Sequence, residues 1–549
     1  MLKMIASTPL ERFYHWEKNT PHLPFLRQPI AGQWKGYSYQ QAGDEIRRIA
    51  QALRSLDLPP QSNIAILSKN CAHWIMADLA IWMAGHISVP IYPTLSATGI
   101  HYILEHSEAK VIFIGKLDAY DKQRDAIAPD IYRISFPFYG PQDGDNWNDL
   151  LQREPLTENI YPVAEQVASI MYSSGTTGTP KGVELTFGAF DFTGKSLKKN
   201  FKLDKPERFF SYLPMSHIAE RAYIEIGVLY SASSISFTES LEKFPDNLRE
   251  VQPTLFGGVP RIFAKFQEGI LAKMPQKKLD RLLSIPIVSM IVKNVIRKKL
   301  GFSNAHLIVG GAAPIPVLLL KWFASLGIEI REIYGMTENC GYSHGDHGAI
   351  VHIGTVGRPW PGIEAKISSE GEILIKHPGL MRGYYKDAET TRSTFTADGF
   401  LKTGDKGVAD AEGFLTITGR VKDQFKTDKA KFIAPAPIEM KFSSNKNIDS
   451  ICIVGMGIPQ PIALVVLSTT AAEKSKSVVA EELNSTLQAV NPTLEHYERI
   501  EKIIIMRESW TIENGFMTPS LKIKRNEIEK VYVAQYPEWY KLPEKIVWE

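Results

Sequence analysis

Val167-Ala168-Ser169-Ile170-Met171-Tyr172-Ser173-Ser174-Gly175-Thr176-Thr177-Gly178-Thr179-Pro180-Lys181-Gly182-Val183 runs from an apolar segment into a donor-rich turn. From Tyr172 to Val183 it packs three glycines, five serine or threonine hydroxyls and one lysine into twelve positions. The apolar start reads as a buried strand, and Gly175, Gly178 and Gly182 free the backbone for close approach to a ligand. Exposed N–H groups, with the hydroxyls of Ser173, Ser174, Thr176, Thr177 and Thr179, can wrap phosphate oxygens, and Lys181 adds a positive charge. This is not a Walker A loop, which needs four spacer residues before Gly-Lys-Ser/Thr. Gly188 with Gly194-Lys195-Ser196 comes near, but five residues intervene and no apolar strand leads in, so that stretch reads as an ordinary helix with basic residues at its end.

The elements around this loop alternate. Ala42 to Leu56 has helical period, Asn63 to Leu67 is a short apolar strand, Cys71 to Ala84 is a strongly apolar helix, and Lys110 to Ile114 is another strand. Downstream come the strand Phe209–Tyr212, a helix over Glu220–Tyr230, the strand His306–Val309, the helix Pro316–Ser325 and the strand Glu329–Tyr334. Such alternation predicts βαβ units around buried sheets. After about Gly354 the pattern changes to short strands between Gly- and Pro-rich turns: Glu364–Ile367, Glu372–Lys376 and Phe414–Thr418. After Arg420 it changes again, to the strands Ile451–Val454, Ala463–Leu467 and Lys502–Met506 and the helices Val478–Val490 and Ile523–Tyr532. The expected fold is α/β: a large N-terminal domain of βαβ sheets with a β-rich subdomain, followed by a small mobile α+β C-terminal domain. The boundaries read as 1–419, a hinge at 420–424 and 425–549.

With 549 residues the chain is too long for one core, and 44% hydrophobic and 22% charged residues are ordinary for a globular protein. The net charge of +3 makes no case for nucleic acid. Cys71, Cys340 and Cys452 are far apart, without metal-ligand spacing or a disulfide framework, which suits a reducing, cytoplasmic compartment. No segment approaches the ~20 apolar residues of a membrane span, and the N-terminus lacks the apolar core of a secretion signal. Leu282–Val292, broken by Pro286 and flanked by Lys277, Lys278, Arg281, Lys293, Arg297, Lys298 and Lys299, has two readings. One is a packed helical pair with a solvated basic face, the reading favoured here. The other is peripheral contact at the inner membrane face.

The Tyr172–Val183 stretch resembles the phosphate loop of the adenylate-forming (AMP-binding) superfamily, and the resemblance extends from about Tyr37 to Lys530. Those enzymes join a carboxylic acid to AMP, release pyrophosphate, and in many cases pass the acyl group to a thiol. In Tyr334-Gly335-Met336-Thr337-Glu338 the resemblance implies adenine stacking by Tyr334, α-phosphate contact by Thr337 and Mg²⁺ binding by Glu338, with Ser173 as a second metal contact. Gly311 and Ala312, in Gly310-Gly311-Ala312-Ala313-Pro314, would lie against adenine. Asp405, in Thr403-Gly404-Asp405, would hold the ribose hydroxyls, and Arg420 ribose and phosphate. Lys422 would sit beside the hinge. Lys522, preferred over Lys524, would reach the reacting carboxylate and α-phosphate.

Leu213-Pro214-Met215-Ser216-His217-Ile218-Ala219-Glu220-Arg221 is similar to a motif of the long-chain fatty acyl-CoA synthetase branch, as are Val259–Phe263 and Gly354–Pro359. By that resemblance His217 stands at the mouth of an acyl pocket near the metal, and the pocket is lined near His217, Phe256 and Tyr342. Ala430 stands where the family usually has a glycine beside the coenzyme A path, so adenylation is the more secure half-reaction. His344, His347 and His352 are assigned to a loop rather than to a metal site. The implied reaction uses ATP, Mg²⁺, coenzyme A and a fatty acid. The rivals are transfer to a carrier protein, a non-fatty acid substrate, and a non-catalytic nucleotide binder.

Overall fold

The computed structural model describes residues 8–173, 180–348, 350–443, 445–518 and 522–549. Its largest sheet has eight strands, and the quoted stretch enters near one end. Asp145–Asn146, Tyr132–Ser135, Val111–Ile114, Asn63–Leu67, Ile87–Ile91 and Val167–Ser173 lie side by side and parallel. Lys181–Thr186 and Gly383–Tyr384 then add antiparallel strands at the edge. The central strands Asn63–Leu67, Ile87–Ile91 and Val111–Ile114 are buried at every position because both faces are covered. Ile64 and Ile66 face one core, with Trp74, Ile75 and Leu79 of the helix Ala72–Met83. Ala65 and Leu67 face the other, with Ile100, Ile103 and Leu104 of the helix Ala97–Ser107. That split is the two-residue period of a strand.

A second sheet sets Leu255–Gly258, Leu307–Gly310 and Arg331–Tyr334 parallel, then adds His344–Gly345 and Arg358–Pro359 antiparallel. A four-stranded antiparallel sheet of Glu364–Ile367, Glu372–Lys376, Leu401–Ala409 and Leu415–Arg420 carries the chain to the end of the large part. From Phe425 onward the chain builds its own sheet, Ile448–Val454, Ile462–Leu467, Ile503–Ile505 and Ile546–Trp548, with an apolar core on each face.

Two expected elements differ in detail. The helix over Glu220–Tyr230 is a π-helix over Glu220–Ile226 followed by a short α-helix over Gly227–Ser231. Its wide turn surrounds a fully buried ion cluster: Arg221 Nη1 lies 2.8 Å from Asp78 and 2.7 Å from Glu225, with its guanidinium over the Trp74 and Trp82 rings. The helix expected from Ile523 begins at Arg525, because Ile523 is held in a bridge to Met517.

Removing one partner of a buried cluster leaves unpaired charge in a medium that solvates it poorly. Arg221→Met should therefore lower stability by about 3–5 kcal/mol. The combined replacement of Asp78, Arg221 and Glu225 by apolar residues of similar volume should cost less than that single change. Denaturant unfolding of both proteins checks this, and an equal or larger loss in the combined variant would refute it.

Candidate functional site

The hairpin made by Val167–Ser173 and Lys181–Thr186 sets Ser173 directly across from Lys181, so both ends of the glycine-rich turn are fixed by the sheet. Ser174, Gly175, Thr176, Thr177 and Gly178 lie outside the described residues. Lys181 Nζ donates to Thr390 Oγ1 at 2.9 Å, lies 3.4 Å from Asp387, and stands over the Tyr384 ring.

Tyr334 and Glu338 follow the strand Arg331–Tyr334. Gly335 makes their turn possible: a Cβ there would stand 2.2 Å from the Gly341 carbonyl oxygen. The Tyr334 hydroxyl donates to Asp405 Oδ2 at 2.7 Å, and Arg420 Nε lies 3.0 Å from Asp405 Oδ1. Asp405 and Arg420 are opposite one another in adjacent strands, which fixes that ion pair. Glu338 is buried and accepts from the Tyr384 hydroxyl at 3.0 Å. Burial pushes its carboxyl above the usual range, against the Tyr384 hydrogen bond and the Arg420 charge. Thr337 opens the short turn Thr337–Asn339, with Met336 N donating to Asn339 Oδ1.

Lys522 reaches this group from the C-terminal part. Its surroundings lower its pKa, chiefly by crowding out water and then through Arg420, while Asp405 and Glu338 act the other way. The side chain keeps access to solvent, as a lysine in an open cleft between domains does. Lys522 N donates to Thr518 Oγ1, and Thr518 N to the Lys522 carbonyl, so the two residues hold each other. Lys524 caps the start of the helix Arg525–Tyr532, its N–H donating to the Phe516 carbonyl.

His217 is held near the same charge. Burial, and then the Lys522 ammonium, bring its pKa down to about 4. Its Nδ1 accepts from the Ala219 N–H at 3.2 Å, so the neutral ring carries its proton on Nε2 and acts as a donor there. The loop that carries it is clamped from two sides. Glu220 accepts from Ser211 Oγ (2.8 Å), Leu213 N (2.9 Å) and Tyr212 N (3.3 Å). Asn70 donates to Ser211 Oγ and the Leu213 carbonyl, and accepts from Met215 N.

Tyr334, Glu338, Asp405, Arg420, Lys522 and His217 thus converge, with Thr337 beside Glu338. Gly311 lies against the strand of Tyr334, where a Cβ would meet the Ile333 carbonyl at 2.9 Å. Ala312 is exposed with φ +67°. Lys422 is exposed just beyond Arg420. Ala430 is exposed on the turn joining Phe425–Lys426 to Phe432–Ile433, with φ +58°, the left-handed region that favours glycine. Phe256 belongs to a separate aromatic core with Phe263, Phe266 and Phe302. Tyr342 is buried, and its hydroxyl is bonded by Asn200, which lines a cavity of about 1060 Å³ together with Phe192, Leu380, Lys195, Lys199 and Arg382. His344 is buried against Ser343, and His352 stacks on Phe414.

Sequence reasoning missed Tyr384, Glu220 and Asn70. Gly383-Tyr384-Tyr385 was a legible aromatic signal after a turn. Glu220 lay inside a quoted motif but had no role assigned. Asn70 gave no signal.

The profile of the family described as AMP-binding enzyme matches residues 13–385. The chain belongs to the AMP-binding enzyme family. The profile of the AMP-binding enzyme C-terminal domain matches residues 423–543. Among curated proteins, this family member is 28% identical over 579 residues to the long-chain-fatty-acid–CoA ligase FadD15 of Mycobacterium bovis, covering 96% of each chain. It is 28% identical to the long-chain-fatty-acid–CoA ligase 5 of Rattus norvegicus, covering 95% of this chain and 86% of the other. Among solved structures, it is similar to the A domain of the carboxylic acid reductase from Segniliparus rugosus in complex with AMP, at TM-score 0.80 and 19% identity, covering 98% and 95% of the chains. It is also similar to the o-succinylbenzoate CoA synthetase of Bacillus subtilis with its acyl-adenylate intermediate, at TM-score 0.74 and 21% identity, covering 94% and 97%. At these identities the two structures speak for the fold.

Burial raises the Glu220 carboxyl from its ordinary 4.5 to about 7, with the Ser211, Leu213 and Tyr212 hydrogen bonds opposing. A raised acid holds a proton in the folded state that the unfolded chain has released. Stability is then fully present below about pH 4.5 and is lost as pH rises towards 7, by up to about 3 kcal/mol. Glu220→Gln lacks this titration. Denaturant midpoints measured from about pH 5 to 8 should show the unmodified protein losing stability relative to the variant, and parallel curves would rule the effect out.

Proposed function

We propose that this chain activates a fatty acid with ATP and passes the acyl group to coenzyme A. A carboxylate oxygen attacks the α-phosphorus of ATP, the bond to the β-phosphate oxygen breaks, and acyl-AMP and pyrophosphate form. The thiol of coenzyme A then attacks the acyl carbonyl, and AMP leaves. The observation that carries this reading is the gathering of Lys522, from the C-terminal part, with Glu338, Asp405, Arg420 and His217 of the large part. An adenylating centre needs a mobile cation at the α-phosphate at the moment charge develops there. The curated ligases covered nearly end to end support a long-chain acid as substrate. The apolar walls Phe192 and Leu380 of the cavity beside Tyr342 suit an acyl chain.

Within this reading, residues 1–419 bind ATP and acid, 420–424 form the hinge at Lys422, and 425–549 rotate between the two half-reactions. Ser173, the glycine-rich turn and Lys181 hold the phosphates, with Gly311, Ala312 and Tyr334 at adenine and Asp405 with Arg420 at ribose. Mg²⁺ takes one or two carboxylates and otherwise phosphate oxygens and water, and the single buried Glu338 carboxylate fits that need. The ion would neutralise phosphate charge. Thr337 would contact the α-phosphate. His217 Nε2–H would donate to an oxygen of the reacting group. No helix is long and apolar enough to cross a membrane among the described residues. The reading places the protein in the cytoplasm.

Pyrophosphate release measured across straight-chain acids tests the proposal. Release should rise with chain length into the long-chain range, and Lys522→Ala should lower the adenylation rate by at least about 100-fold, the scale of removing one preorganised transition-state donor. Activity confined to aryl or amino acids would overturn the substrate class, and an unchanged rate in Lys522→Ala would overturn the role of that lysine.

The left-handed φ of Ala430 costs about 1–2 kcal/mol in a residue with a Cβ. Ala430→Gly should relieve that cost and raise or preserve the rate of acyl transfer from preformed acyl-AMP to coenzyme A, leaving pyrophosphate release unchanged. A drop in the transfer rate would contradict a role for this turn at the thiol path.

A further inference from the structure

The helices Gln276–Leu283 and Pro286–Leu300 form a hairpin broken at Ile285-Pro286, where the proline supplies the first residue of the second helix. Its inner side is satisfied. Leu279 and Ile296 are buried, and Val292, Leu283 and Leu300 pack on the core that holds Phe256 and Phe302. The outer side is not. Ile287 is 72% exposed, Met290 61%, Ile291 54% and Val295 46%, with Ile285 at the break 47%. At 100° per residue, positions 287, 290, 291, 294, 295 and 298 fall on one stripe, so Ile287, Met290, Ile291 and Val295, with Asn294 among them, form a mainly apolar ridge that ends at Lys298. The favoured sequence reading, a packed pair with a solvated basic face, is therefore half right: the pair packs, but its outer face is apolar as well as basic.

The charges around the ridge are of one sign. Residues 276–300 hold seven Lys or Arg and one acid, Asp280, a net +6, so the remaining 56 Lys or Arg and 59 Asp or Glu sum to −3. The chain's positive excess is thus concentrated in this hairpin. Lys277, Lys278 and Arg281 are exposed on the first helix, and Lys298 and Lys299 at the end of the second. None of these five appears in an ion pair among the described residues, and the one nearby acid, Asp280, accepts from Gln276. Arg297 is set aside, because it donates to the Phe302, Ala305 and Gly327 carbonyls.

We propose that this hairpin is a docking surface for an anionic lipid bilayer, with Ile287, Met290 and Ile291 entering the acyl boundary and the five exposed cations meeting the headgroups. An apolar ridge bordered by cations matches the layered chemistry of a membrane interface, where apolar side chains sink about 5–10 Å and lysine stems reach back to phosphate. A soluble acidic partner would satisfy the charges but leave the ridge needing a matching apolar groove. The surface lies outside the candidate site and stands whether or not the ligase reading holds. If that reading holds, it also gives a water-insoluble acid a source next to the enzyme.

The test is co-sedimentation of the full chain with vesicles of phosphatidylcholine alone or with about 30% phosphatidylglycerol. The unmodified protein should bind the anionic vesicles at least about tenfold more tightly. Each lysine near such a surface contributes about fivefold, so K277Q/K278Q/K298Q/K299Q should weaken binding by more than about 100-fold. I287S/M290S/I291S should weaken it at least about tenfold. Pyrophosphate release with a short soluble acid should be unchanged in both variants, which separates this proposal from the ligase reading. Equal binding to both vesicle types, or retained binding in either variant, would overturn it. So would a dimer, seen by light scattering, that the serine variant converts to monomer while vesicle binding persists.

Discussion

The hydrogen bond from Tyr334 to Asp405, completed by Arg420, joins parts of the chain that are otherwise separate. Tyr334 ends a parallel strand of one sheet, Asp405 lies within an antiparallel strand of another, and Arg420 is the last residue before the chain leaves for its C-terminal part. If the chain hinges after Arg420 as proposed, the three groups fix where that hinge would begin relative to Glu338. Val421 N donates to the Gly404 carbonyl, so even the first residue past the strand is tied to the Asp405 turn. The proposed rotation would have to start after that bond.

Much of this was legible in the sequence because it depends on local rules. The strand into the glycine-rich turn, the helix over 72–83 and the antiparallel strands after 364 follow from apolar runs, period and turn residues, and the structure has them within a residue or two. Tyr334, Asp405, Arg420 and Lys522 were identified by motif order, and their convergence follows from the family fold. What stayed hidden depends on contacts between distant segments. Tyr384 reaches Glu338 only because Gly383–Tyr384 pairs at the sheet edge beside Lys181, a juxtaposition no spacing predicts. Asn70 grips the His217 loop across more than 140 positions of sequence. The π-turn at Glu220–Ile226 was invisible because helical period does not report where a buried arginine must reach two carboxylates.

Ala430 shows a different kind of limit. As a residue type it departs from the glycine its position usually has, which invites the inference that the loop changed shape. The backbone says otherwise: φ stays at +58°, the turn is held by Ala430 N to the Thr427 carbonyl, and the side chain points into open solvent. Alanine there carries a methyl group and a backbone cost in a conformation that glycine takes freely. A departure from a family pattern thus does not by itself predict a departure in conformation.

The charges in the cleft impose one further constraint on any reaction there. Glu338 and Asp405 bring two carboxylates, Arg420 and Lys522 two cations, and Asp423 adds a carboxylate near Arg420, so these groups hold no excess of cations before a nucleotide arrives. In low-dielectric surroundings an uncompensated polyphosphate would be repelled by the carboxylates as strongly as it is held by the cations. On the proposed reaction, ATP must bring its own cation, and Glu338 is the group placed to receive it. Lys181 stands apart from this balance, held by Thr390 and Asp387 at the mouth of the glycine-rich turn. It can follow the outer phosphates without disturbing the inner ion pairs. On the same proposal, Lys522, on the C-terminal part, is the cation whose withdrawal would unbalance the centre after the α-phosphorus has reacted. The charge count and the proposed domain motion would then describe one switch rather than two.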